Sequence, residues 1–263
     1  MKIANRMENL SPSVTLAITA LARELKAQGK DILSFSAGEP DFDTPQIVKD
    51  AAIKAINDGQ TKYTAVEGII ATKQAIINKL KKDHGLEYKL DGIVISNGAK
   101  HSLFNLFQVL IEKGDEVIIP APYWVTYPEQ VKFSDGIPVF IDTDDSTEFK
   151  ITPEQLKAVI TPKTKVLLLN TPSNPTGSVY TKEELTALGK VLEGTDILVL
   201  SDEMYEKIIY NGTKFTAAAE VSEDMYNRTV TINGLSKAVA MTGWRFGYIA
   251  TPNVALAKAL TKL

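Results

Sequence analysis

Lys165-Val-Leu-Leu-Leu-Asn170, followed at once by Thr171-Pro-Ser-Asn-Pro-Thr-Gly177, decides what kind of sheet this chain builds. Its central residues are apolar without alternation, as expected of a strand covered by helices on both faces, and a parallel sheet needs that cover. Ile197-Leu-Val-Leu200 repeats the pattern and runs into Ser201-Asp-Glu-Met-Tyr205. Outward from these two runs, helical patterning is read over 14–28, 44–57, 68–83, 99–112, 125–133 and 252–263. Further strands are read over 93–96, 116–120, 137–141, 228–232 and 246–250. Thr44-Pro45 reads as a cap with Pro at the first helical turn. Thr152-Pro-Glu-Gln155 and Thr181-Lys-Glu-Glu184 read as capped helix starts, the second a capping box. Strand–helix alternation of this length implies an α/β doubly wound architecture, whose ligands sit at the carboxyl ends of strands.

The chain has 263 residues, 44% of them hydrophobic and 23% charged, enough for a sizeable core. A net charge of −3 gives no basic footprint for nucleic acid. With no cysteine, disulfides and thiolate metal sites are excluded, which fits a reducing cytoplasm. His84 and His101 are the only histidines, so no multi-histidine metal site is expected. No signal peptide or membrane span is read, and the expectation is a soluble, cytoplasmic protein with no membrane partner.

Chemistry gathers at the strand ends. Asn233-Gly-Leu-Ser-Lys-Ala-Val-Ala-Met-Thr-Gly-Trp-Arg-Phe-Gly-Tyr248 places Lys237 just past an apolar strand and Arg245 eight residues later. A lysine acting as a nucleophilic amine, near an arginine able to fork onto a phosphate, suggests a phosphorylated carbonyl partner; pyridoxal phosphate fits. Asn97-Gly98-Ala99-Lys100 opens a helix, where free backbone N–H groups and the dipole favour an anion. Asn174 sits between two prolines, where its amide can be held toward a ring oxygen. Asp202, with Tyr205 three residues on, reads either as a helix cap or as the partner of a pyridine nitrogen and its neighbouring phenol oxygen.

Together these residues resemble the fold-type I pyridoxal-phosphate enzymes, specifically class I aminotransferases of the aspartate aminotransferase family. The resemblance also rests on Ser36-Ala-Gly-Glu-Pro-Asp-Phe42, Tyr63-Thr-Ala-Val-Glu-Gly68 and Pro122-Tyr-Trp124. It implies a three-layer α/β/α large domain with a mainly parallel sheet over 44–263, with 1–43 belonging to the small domain and the edge of the active site. Lys237 would be the Schiff-base lysine and proton shuttle, its amine unsuited to base chemistry at an ordinary pKa near ~10.4. Asp202 would pair with the pyridine N1, worth roughly 4 kcal/mol at about 4 Å and an effective dielectric of ~20. Tyr205 and Asn174 would hydrogen-bond the phenolate oxygen, and Trp124 would stack on the ring. Gly98, Ala99, Lys100, Ser236 and Arg245 would surround the phosphate, and Tyr63 would reach the partner subunit's phosphate in a homodimer. Gly38 would let the substrate carboxylate approach, while Lys100 and Thr15 would contact the distal carboxylate of aspartate or glutamate. The partners implied are an amino acid and a 2-oxo acid, exchanged by a ping-pong mechanism.

The sequence also departs from that pattern. Gly234 stands where some relatives carry a phosphate-binding serine. The sequence stops at Leu263 inside a helical pattern, so a chain truncated before the rest of the large and small domains is expected. Arg6, Arg23, Arg228 and Arg245 are the only arginines, and none stands in the context of the one that grips the substrate α-carboxylate. Alternatives are another fold-type I reaction, such as a β-lyase or a different amino-acid specificity, and an inactive fragment. A nucleotide-binding module lacks its Gly-rich fingerprint.

Overall fold

The computed structural model describes residues 1–35 and 38–263; Ser36 and Ala37, the first two residues of the 36–42 motif, lie outside the described residues. In chain order the elements are α1 (Val14–Ala27), α2 (Gln46–Asn57), α3 (Ile70–His84), β1 (Ile93–Ser96), α4 (Ala99–Leu110), β2 (Glu116–Ala121), α5 (Thr126–Phe133) and β3 (Ile137–Asp142). They continue as α6 (Pro153–Val159), β4 (Thr164–Asn170), α7 (Lys182–Leu192), β5 (Leu198–Asp202), α8 (Glu223–Arg228), β6 (Thr229–Gly234), β7 (Gly247–Ala250) and α9 (Val254–Lys262). The α/β architecture expected from the apolar strands is present.

The strands form one seven-stranded sheet in the order β1-β7-β6-β5-β4-β2-β3. From β6 to β3 every pairing is parallel, whereas β7 runs antiparallel to both β1 and β6. The two-residue period sorts the central strands onto two cores. Val117, Ile119, Leu168, Leu200 and Ile232 meet Leu103, Phe107 and Leu256 of α4 and α9 on one face. Ile118, Leu167, Leu169 and Val199 meet Leu156, Leu185, Leu188 and Met225 of α6, α7 and α8 on the other. Each such side chain, fully buried, contributes roughly 1.5–3 kcal/mol relative to exposure. This two-sided cover is why the strands carry no polar alternation.

Local signals held in two places and failed in others. Thr152 with Gln155 and Thr181 with Glu184 form reciprocal capping boxes. Thr44 does not cap α2: Pro45 precedes its first turn, and the Thr44 hydroxyl instead donates to the Ala240 carbonyl at 2.6 Å. Helix α8 was not anticipated, because six residues are too few to show a helical period. Helices α1 and α2 bury no residue, and Leu16, Ile47, Ile53 and Ile56 are exposed.

Behind the sheet, the last turn of α3 carries His84 into a charged cluster. Its Nε2 lies 3.1 Å from Glu206 and its Nδ1 3.3 Å from Glu220. Lys79 pairs with Glu206 at 2.5 Å and Lys207 with Asp83 at 2.8 Å. Burial works against a charged imidazole, but the hydrogen bonds to Glu206 and Glu220 and the field of Glu203 outweigh it, so His84 is held up at about 9. Fully buried Glu203 is pushed up to about 7 by burial, although Ser201 and the Ala218 N–H donate to it.

Both shifts have one sign. A folded pKa above the unfolded value gives stability that is complete below the unfolded pKa and lost as pH rises through the folded one. For Glu203 that window runs from 4.5 to about 7, and for His84 from 6.5 to about 9. Urea unfolding should therefore show stability declining from about pH 7 to about pH 9 in the wild type and declining less over that interval in His84→Gln.

Candidate functional site

At the carboxyl ends of β4, β5 and β6 the chain encloses a cavity of about 590 Å³, within the usual range for small-molecule sites of roughly 300–1,000 Å³. Thr15, Gly38, Ala99, Lys100, Trp124, Asn174, Asp202, Tyr205, Ser236, Lys237 and Arg245 all line it. Eleven residues singled out in the sequence thus meet in one place, drawn from segments up to 230 positions apart. Tyr63 does not join them; it is fully exposed and stands outside this chain's own cavity.

Asp202, the last residue of β5, is only 4% exposed. Its Oδ2 accepts a hydrogen bond from the Tyr127 hydroxyl at 2.8 Å, and its Oδ1 one from the Met204 N–H at 3.2 Å. Burial pushes its carboxyl up to about 6, and these two donors act against burial. Asp202 is therefore a strand-end carboxylate facing the cavity, not a helix cap. The Asn170 side chain donates to the Asp202 carbonyl at 3.0 Å and accepts from the Asn174 N–H at 2.7 Å. The Pro-rich turn after β4 is thereby pinned to the end of β5. Burial and the field of Asp202 raise the Tyr205 phenol, and the neighbouring Asn174 side chain opposes them.

Lys237 follows β6. Its ammonium donates to the Gly38 carbonyl and lies 5.8 Å from the Tyr205 ring centroid. Burial lowers its pKa; Glu39 opposes that effect and Arg245 reinforces it. Burial and Arg245 likewise lower Lys100, whose Nζ lies 4.9 Å from the Trp124 ring centroid. Arg245 adopts left-handed backbone angles, φ 58° and ψ 48°, and its Nη1 donates to the Thr242 carbonyl at 2.7 Å. Such a conformation costs a non-glycine residue of order 1–2 kcal/mol, a feature often found at functional sites. Of the four arginines, only Arg245 lines the cavity.

Gly98 precedes α4 at φ +87°, and a Cβ there would stand 2.3 Å from Arg245 Nη2. The absence of a side chain lets the guanidinium reach the start of the helix. Gly247 does the same for the sheet, since a Cβ there would meet the Ala99 nitrogen at 2.4 Å. A helix start, Ser236, Lys100 and Arg245 thus converge, as an anion-binding corner requires.

Sequence reasoning missed Tyr127. Its spacing on α5 reads as core, it is 1% exposed, and its partner lies 75 positions away. No local signal distinguishes it from a packing aromatic.

Comparison with known proteins assigns this arrangement to a family. The family described as "Aminotransferase class I and II" matches residues 30–263. The aspartate aminotransferase of Geobacillus stearothermophilus is 54% identical over 263 residues, covering 100% of this chain and 67% of that protein. The crystal structure of the aspartate aminotransferase from Rhizobium meliloti superposes with a TM-score of 0.95 at 45% identity, covering 100% of this chain and 66% of that one. The aspartate aminotransferase from Thermus thermophilus with maleate superposes with a TM-score of 0.95 at 42% identity, over 100% and 67%. The chain spans about two thirds of the length of these relatives. It belongs to the class I and II aminotransferase family, with the fold-type I architecture of its structural neighbours.

Proposed function

We propose that this chain forms the cofactor-binding part of an aspartate-type aminotransferase, which moves an amino group between aspartate or glutamate and a 2-oxo acid. The observation that carries the reading is one cavity holding a buried strand-end carboxylate, Asp202, and a lysine of lowered proton affinity, Lys237, beside an anion-binding corner. The family's aminotransferases use pyridoxal 5′-phosphate. The residues present fit that group: a phosphate suits the cationic corner that Gly98 opens, and a protonated pyridine suits a carboxylate shielded from water. When bound, the cofactor supplies an electron sink for the carbanion at the substrate carbon.

The chain's own residues do the rest. Arg245, Lys100, Ser236 and the start of α4 would hold the phosphate, and Asp202 would hold the proton at the pyridine nitrogen. Tyr205 and Asn174 would donate to the phenolic oxygen, and Trp124 would stand against a ring face. Lys237 would be the point of covalent attachment and, when free, would hold and move the proton at the substrate carbon; its lowered pKa favours the unprotonated amine. Gly38 gives the substrate carboxylate access to the backbone, and Lys100 with Thr15 meets the distal carboxylate.

The same proposal divides the chain at residue 43, with 44–263 as the cofactor-binding domain. It includes a homodimer, supported by the exposed apolar residues of α1 and α2 and by Tyr63 projecting away from its own cavity. It also places the protein in the cytoplasm, which the lack of cysteine supports. Among the described residues no helix is long and apolar enough to cross a membrane.

Mixing the chain with pyridoxal 5′-phosphate should give a visible absorption band that Lys237→Ala abolishes and that aspartate bleaches. With aspartate and 2-oxoglutarate the product should be oxaloacetate; pyruvate with ammonia would mean elimination and overturn the transaminase reading. Gly98→Ala, which strains a positive φ and displaces the guanidinium, should weaken pyridoxal 5′-phosphate binding about tenfold, or about 1.4 kcal/mol, by fluorescence titration.

A further inference from the structure

One buried polar contact of the cavity has no part in the roles given above. Tyr127, in the first turn of α5, is 1% exposed and packs within the apolar cluster beneath α4 and α9, yet its hydroxyl reaches Asp202 Oδ2 at 2.8 Å. The ring is held at both ends. Its backbone N–H donates to the Trp124 carbonyl at 3.0 Å, and its edge meets the Trp124 ring at 5.4 Å and 89°. The Met204 N–H takes the other carboxylate oxygen. Each oxygen of Asp202 thus has one protein donor, and the carboxylate still faces the cavity.

We propose that the Tyr127 hydroxyl is the positioning group that fixes the Asp202 carboxylate and keeps it the charged acceptor of the cavity, while the same ring buttresses Trp124. A hydroxyl that donates to a carboxylate favours the ionised form, because the protonated acid has less to offer that donor. Asp202 is only 4% exposed, so its charge leans on such donors. Burial and the neighbouring Asp202 hold the Tyr127 phenol well above its ordinary range, so it stays a donor throughout the working pH range. The other groups around Asp202 act differently. Tyr205, from the turn after β5, interacts with it electrostatically, while Lys100 of α4 and Lys237 and Arg245 of the β6–β7 connection line the same cavity. Tyr127 is the side chain hydrogen-bonded to the carboxylate among the described residues.

This role rests on the aminotransferase reading for its purpose, but its test does not need the cofactor. In the cofactor-free chain, the Asp202 carboxyl can be followed by 13C NMR across pH and assigned by its loss in Asp202→Asn. The wild-type midpoint is expected near 6. Tyr127→Phe should move it up by about one pKa unit, the scale of one hydrogen bond to a charged group. Replacing Tyr127 with 3-fluorotyrosine, a stronger donor, should move it down. The acid limb of pyridoxal 5′-phosphate affinity should shift in the same directions, since binding a protonated pyridine to a protonated Asp202 must release a proton.

A Tyr127→Phe protein that retains its circular dichroism but keeps the wild-type Asp202 midpoint overturns the proposal. So does a midpoint that moves while the acid limb of affinity stays in place. Should Tyr127→Phe fail to fold, the fluorotyrosine protein decides by the presence or absence of the downward shift. Loss of the Lys237-dependent band alone would sink the aminotransferase reading and leave the Asp202 titration to be judged separately.

Discussion

A carboxylate kept charged without water is the constraint on which the site depends. Asp202 stands at the end of β5, with β6 on one side and β4 on the other. That position removes it from solvent and leaves hydration to be replaced by fixed donors, Tyr127 and the Met204 N–H. The sheet makes this possible because parallel strands end together on one edge. The turn after β4 can therefore be tied to the end of β5 through Asn170 and the Thr171 N–H, both of which donate to the Asp202 carbonyl. The scaffold and the site are one hydrogen-bonded unit, so a change in the Pro-rich turn is felt at the carboxylate.

Much of this was legible from residue order, though unevenly. The apolar runs at Val166 and Ile197 announce burial on both faces, because a strand under two layers of helices has no polar side to display. They do not announce direction: β7 reads like its neighbours yet runs antiparallel to both, since reversing a strand leaves its composition unchanged. Lys237, Asp202 and Arg245 were legible as a set through the motifs that carry the family resemblance, and the fold brings them to one cavity. Thr44 misled because a threonine before proline fits a cap, whereas here a carbonyl 196 positions away claims its hydroxyl.

Tyr127 and His84 show the limit from the other side. Each has an ordinary local context, a tyrosine in a half-apolar helix and a histidine before a C-terminal glycine. Each acquires meaning from partners more than 70 positions away. Such roles depend on three-dimensional juxtaposition, and a single sequence carries no trace of it.

The cavity's charge distribution completes the physical account. Lys100, Lys237 and Arg245 share a confined space with one buried carboxylate, and Arg245 lowers the proton affinity of both lysines. Among the described residues no carboxylate lies within ion-pair distance of Arg245. Cations held this close repel, and the left-handed backbone at Arg245 adds strain that packing must offset. A dianionic phosphate at the start of α4 would relieve the repulsion at its source and restore proton affinity to Lys100. Lys237 shares the repulsion from Arg245, so an anion at this corner would raise its proton affinity as well.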